Sequence, residues 1–145
     1  MRKDSRLSRV LHVLIHLDAF EHPVTSDTLA QMLNTNPVVV RRTMALLREQ
    51  SYVKSIKGHS GGWSLAKPLN EITLLDIHQT LSENSVFTIG LTDEHTNCPI
   101  EHAVNRALKD AMDEAESLLL KRFGEVTLSE LSIEFKTKLA SIPST

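Results

Sequence analysis

Three of the chain's five glycines stand within five positions, Gly58, Gly61 and Gly62, and nothing constrains the fold more. They lie in "KGHSGGWSLAKP", residues 57 to 68, directly before the single Trp. A glycine cluster beside a lysine suits a phosphate cradle, a hairpin tip or a close approach to another surface. A P-loop needs Lys-Ser/Thr after its glycines and then a helix. Here Trp63 and an extended stretch follow, and "YVKSIK" before the cluster is also strand-forming. The segment therefore reads as a β-hairpin with a glycine-rich tip. Gly61 and Gly62 are expected to supply positive φ and bring the backbone against another surface. On that reading, replacing Gly62 harms binding more than folding.

The residues upstream define what the hairpin is attached to. Leu7, Val10, Leu11, Leu14 and Leu17 recur at helical spacing, with Asp4 or Ser5 as cap. His12 and His16 lie one turn apart on that helix, a spacing that can hold a metal or simply place two surface histidines. "EHPV" breaks the helix. A short helix capped by Ser26 follows, with Leu29, Met32 and Leu33 on one stripe and Ala30 small enough for close packing. Asn36-Pro37 then starts another helix: a capping side chain, followed by a residue that needs no N–H at the first position. Val40, Met44 and Leu47 should face inward, leaving Val38, Val39, Arg41 and Arg42 largely on other faces. Two short helices joined by a few residues, the second with arginines near its start, match helix-turn-helix geometry. With the hairpin they make a winged helix, whose wing carries Lys54, Lys57 and His59.

Charge agrees with this division. Up to Pro68 there are ten Lys or Arg against five Asp or Glu; from Leu69 onward there are six against thirteen. A basic half of +5 is thus joined to an acidic half of −7, giving the net −2. Such asymmetry suits a polyanion-binding module attached to something else. No apolar run approaches the roughly 20 residues of a membrane span. A single cysteine allows no intrachain disulfide, which fits a reducing cytoplasm. No nucleophile–base pair, paired carboxylates or cofactor loop points to an enzyme.

"NPVVVRRTMALLREQSYVKSIKGHSGGWSLAKP" resembles the signature of the Rrf-two family of bacterial winged-helix regulators. The resemblance rests on Asn36-Pro37, Val40-Arg41-Arg42, Leu47-Arg48 and the Gly58-x-x-Gly61-Gly62-aromatic-x-Leu65-Ala66 wing. "EITLLDIHQTL", residues 71 to 81, resembles the family's next helix. The resemblance implies a mainly α fold with a small β-hairpin: a winged helix-turn-helix domain plus a long dimerisation helix. It implies a homodimeric transcriptional regulator, most often a repressor, on palindromic double-stranded DNA. Asn36, Val38, Val39, Arg41 and Arg42 would meet the major groove. Lys54, Lys57, His59, Gly61 and Gly62 would meet backbone or minor groove. The rival from another class is a winged-helix module for protein contacts, its basic half docking an acidic partner.

The expected organisation is a DNA-binding domain over 1–83, a linker or sensor loop over 84–99 and a helical dimerisation region over 100–145. Thr73 can cap a helix through Leu74, Ile77 and Leu81, and Val86 to Ile89 could line an effector pocket. A long helix should run from Ile100 to about Phe123, with Val104, Leu108, Ala111, Ala115 and Leu118 as its seam and Gly124 as its stop. A capping box, Thr127 to Glu130, opens the last helix, with Leu128, Leu131, Phe135 and Leu139 on one stripe. Several members of the family hold an iron–sulfur cluster with three cysteines in the loop before the long helix. Only Cys98 stands here, and Glu101 falls near the family's further His ligand, so no cluster is expected. His95, Cys98 and His102 are metal-ligand residue types at close spacing; the alternatives for Cys98 are a redox-active thiol and a packing residue.

Overall fold

A computed structural model describes residues 5–81, 91–92 and 97–141, with side chains as far as Lys138. Helices α1 (Arg6–Ala19), α2 (Ser26–Leu33) and α3 (Pro37–Glu49) come first. Strands β1 (Val53–Ile56) and β2 (Gly62–Leu65) follow, then a 3₁₀ turn at Leu69–Glu71. Helices α4 (Leu74–Leu81), α5 (Pro99–Glu125) and α6 (Leu128–Ser141) complete the chain. The fold is mainly helical with one antiparallel hairpin.

Local chemistry accounts for most boundaries. The Asn36 side chain accepts from the Val38 N–H at 2.8 Å, and Pro37 opens α3. Thr73 and Asp76 cap α4 reciprocally: the Thr73 N–H donates to the Asp76 carboxylate at 2.9 Å, and the Asp76 N–H to the Thr73 hydroxyl at 3.1 Å. Three boundaries differ from the sequence reading. Thr25, not Ser26, caps α2, accepting from the Thr28 N–H at 3.1 Å. Ser26 is engaged elsewhere, by the Trp63 indole. Ser5 stands at the start of α1 without a side-chain cap bond, and Asp4 lies outside the described residues. Gly124 does not end α5, which runs to Glu125 with Val126 as C-cap.

One apolar core runs through the described chain. Leu14, Leu29, Met44, Leu47, Val53, Ile72, Ile77 and Leu128 are its most enclosed side chains. Leu128 belongs to α6, so the last helix packs back on the winged helix although the sequence division at residue 100 assigned it elsewhere. Backbone bonds tie it there: the Leu74 N–H donates to Val126 O at 3.0 Å and the Leu128 N–H to Ile72 O at 2.9 Å. α5 contrasts with every other helix, since none of its 27 residues is buried.

Candidate nucleic-acid interface

α2 and α3 meet through a three-residue turn in which Asn34 adopts φ +52, ψ +52 and so reverses the chain. The side chain of Asn tolerates that left-handed region better than most. Val40, Met44 and Leu47 are buried as their spacing required, which fixes the rotation of α3. At about 100° per residue, Val38, Arg42, Ala45 and Glu49 then fall on the row opposite the core. Val38 and Arg42 are exposed there, at the helix's N-terminal end. The other two proposed side chains sit on the flanks. Arg41 leans toward α2, its guanidinium 4.0 Å from the Asp27 carboxylate in a solvent-exposed pair. Val39 is turned toward α1 and lines a small apolar cavity of about 60 Å³ with Arg9, Val10, Val13 and Met44.

That cavity exposes residues the sequence reading missed. Arg6 and Arg9, on the first two turns of α1, share its rim with Val39 and Thr43. The basic surface beside α3 therefore includes the start of α1. Helical phase would have placed Arg9 outward, but not beside α3, which only the tertiary fold decides. Arg48 is a second omission: its guanidinium lies over the Trp63 ring, 5.7 Å from the centroid, and docks the end of α3 on the hairpin.

The hairpin is held by more than its own ladder. Val53 pairs with Leu65, Lys54 with Ser64, Ser55 with Trp63 and Ile56 with Gly62. Trp63 also pairs with Val24 through two backbone bonds of 2.8 and 2.9 Å, and its indole N–H donates to the Ser26 hydroxyl at 2.9 Å. The wing is thereby fixed to the α1–α2 connection. A turn over Gly58 to Gly61, closed by the Gly61 N–H to Gly58 O at 3.1 Å, forms the tip. Lys54, Lys57 and His59 are exposed along it.

Two of the three wing glycines, Gly61 and Gly62, are required by the chain's own backbone. Gly58 (φ +93) and Gly62 (φ +145) have positive φ; Gly61 does not, and Ser60 (φ +65) takes the left-handed position in the tip instead. A Cβ on Gly61 would collide with the Ile56 carbonyl oxygen. One on Gly62 would lie 2.6 Å from the Val24 carbonyl. The close approach inferred from the glycines is real, but its partner is this chain's own backbone.

Cys98 is half-buried at the N-cap position of α5, and His102 is exposed one turn on. His95 and the stretch Val86 to Ile89 lie outside the described residues. No group of three or more His, Cys, Asp or Glu among the described residues is placed to hold a metal ion. Glu101 accepts from the Thr92 hydroxyl at 2.8 Å, and the Asn105 amide donates to Thr92 O at 2.7 Å. These residues do not fit an iron–sulfur cluster, which takes about four ligands, mainly thiolates. The chain has one cysteine. No helix among the described residues is long and apolar enough to cross a membrane.

A helix-turn-helix with exposed arginines on its second helix, flanked by a braced wing bearing cations, defines a winged-helix DNA-binding protein. The Rrf2 family model, described as "Iron-dependent Transcriptional regulator", matches residues 4–134. The chain belongs to that family and is a DNA-binding transcriptional regulator, not an enzyme. YwnA of Bacillus subtilis strain 168, named as an HTH-type transcriptional regulator, is 26% identical over 128 residues, 88% of this chain and 95% of its own. CymR, the global cysteine regulator of B. subtilis, is 26% identical with a TM-score of 0.59, covering 92% of this chain and 98% of that one. IscR of T. potens shares the fold with a TM-score of 0.70 at 17% identity, over 100% of this chain and 94% of its own.

Proposed function

We propose that the chain acts as a homodimer that represses transcription from a two-fold symmetric operator. The observation that carries the dimer is α5. Ile100, Val104, Leu108, Ala111, Ala115 and Leu118 fall within about 80° of arc on it, and all six are exposed in the single chain. Ile100 is 75% exposed and Leu118 71%. The helix touches its own chain near its C-terminal end, where the Phe123 ring meets the His78 ring edge-on at 5.8 Å, and at its start, where Glu101 and Asn105 bond to Thr92. A second copy of the same stripe, with alanines at the crossing, supplies the missing partner.

Two recognition helices related by that axis would enter successive major grooves, roughly 34–36 Å apart. Val38 and Arg42 lead the contact from the outer row of α3. Val39 and Arg41 flank it, with Asn36 as both cap and neighbour of the backbone. Lys54, Lys57 and His59, on a wing shaped by Gly61 and Gly62, follow the phosphates. On this reading residues 1–83 read DNA and the helix after 98 joins the protomers. Regulation works without an iron–sulfur cluster. Cys98, just ahead of the dimer helix, acts as a lone thiol if it acts at all.

Size-exclusion chromatography with light scattering, followed by footprinting on genomic DNA, tests the proposal. A dimer protecting a palindrome with a steep salt dependence is expected. Binding of an acidic protein with no DNA preference would instead favour the winged-helix protein-interaction module. Colourless protein that binds DNA without iron is expected from anaerobic purification. A brown protein whose colour is lost in Cys98→Ser would overturn the cluster-free reading.

A further inference from the structure

The histidine pair on α1 has no part in DNA contact or dimerisation as described. His12 is exposed on the side of α1 away from the core residues Val10, Val13, Leu14 and Leu17, and His16, one turn on, is half-buried on the flank that faces α6. Their rings converge, with centroids 4.6 Å apart and the two Nε2 atoms joined by a hydrogen bond of 2.9 Å, in which one Nε2 carries the proton and the other accepts it. We propose that His12 and His16 form a bidentate site for a divalent first-row transition-metal ion of the Cu²⁺ or Ni²⁺ type.

A metal ion would replace the proton of that hydrogen bond, and the separation of the nitrogens then bears on which ion fits. Imidazole nitrogens bind such metals at about 2.0–2.1 Å. Two nitrogens 2.9 Å apart at that bond length subtend about 90° at the metal, the cis angle of square-planar and octahedral coordination. A tetrahedral angle would need about 3.3–3.4 Å, so Zn²⁺ fits the pair as it stands less well. Both donors sit one turn apart on one continuous helix, so they can reach a common ion without a change of backbone.

The surroundings keep the pair in place and ready. His16 is held on the α6 side by Phe135, ring centroids 6.2 Å apart, and on its own helix by Phe20 at 6.3 Å. Burial, and secondarily the neighbouring His12, lower the His16 pKa below the ordinary histidine value, which favours the neutral imidazole that a metal needs. Asp18 of α1 and Lys136 of α6 lie 3.9 Å apart and offset each other, and Arg9 stands one turn before His12 on α1. No third His, Cys, Asp or Glu joins the pair among the described residues, so water completes the coordination. A metal here would staple one turn of α1, the helix whose first turns lie beside α3.

The full-length protein, freed of metal with a chelator, is titrated with Ni²⁺ by calorimetry and with Cu²⁺ by electron paramagnetic resonance. Wild type should bind one ion with two equatorial nitrogens and melt at a higher temperature with excess Ni²⁺. Losing an outer partner of a metal ligand costs about 10–100-fold in affinity, and losing a ligand costs no less, so His12→Gln and His16→Gln should each weaken Ni²⁺ by tenfold or more. His12 is exposed, so His12→Gln leaves folding intact and keeps the comparison meaningful. His102→Gln should bind as wild type does. Equal affinity and an unchanged nitrogen signal in wild type and His12→Gln would overturn the site, as would loss of binding in His102→Gln alone.

Discussion

At the scale of single residues, Gly58 and Gly62 separate two reasons for glycine that look identical in sequence. Both have positive φ, but a Cβ on Gly58 meets nothing within 4 Å, whereas one on Gly62 meets the Val24 carbonyl at 2.6 Å. Gly58→Ala should therefore lose only the left-handed penalty of about 1–2 kcal/mol. Gly62→Ala adds a backbone collision that no rotamer relieves, and should lose roughly 2–4 kcal/mol. Urea denaturation of the two variants checks the order; equal midpoints would show that the wing does not rest on the α1–α2 connection. The glycine cluster was legible in the sequence as a hairpin. Its partner was not, because Val24 is brought to Gly62 only by tertiary pairing. Ser26 shows the same limit: serine beside threonine offers two equivalent caps, and what decides between them is a Trp63 indole 37 residues away.

At the scale of elements, the rotation of α3 ranks its arginines. Burial of Val40, Met44 and Leu47 was readable from spacing, and it alone puts Arg42 on the outer row. What spacing leaves out is the neighbour on each flank: Asp27 beside Arg41, and α1 with Arg6 and Arg9 beside Val39. Arg42→Ala is expected to weaken binding to the preferred site by about 1–3 kcal/mol and to relax specificity there. Arg41→Ala, already near a carboxylate and off the outer row, should lose less. Lys57→Ala should weaken all sequences alike and lower the log–log salt slope by about 1, as loss of one phosphate contact does. Electrophoretic titrations of operator and scrambled DNA at several salt concentrations give all three values. An Arg42→Ala protein that discriminates as wild type does would displace the recognition row from α3's outward face.

At the scale of the whole molecule, the contrast between α5 and the rest is what supports the proposed dimer contact. The core from Val10 to Leu128 closes around α1 to α4 and the start of α6 without enclosing any α5 side chain. The sequence signalled the long helix through its four-and-three spacing, yet could not show that α6 would be drawn back onto the winged helix. That follows from Thr73 pairing with Thr127 and from Leu128 being wholly buried. Because the first half of α6 is engaged in this way, α5 is left as the extended apolar stripe for a partner. Leu108 and Leu118 are 40% and 71% exposed in the single chain, so aspartate at both positions is compatible with each protomer's own packing. In a dimer seam the same charges would be buried without partners, a cost of several kcal/mol. The double variant Leu108→Asp/Leu118→Asp should therefore remain helical by circular dichroism while eluting as a monomer. It should also lose most of its operator affinity, since one half-site then binds without the other. A variant that stays dimeric at micromolar concentration would move the interface off α5. One that is monomeric yet binds the operator undiminished would break the link between dimerisation and DNA recognition.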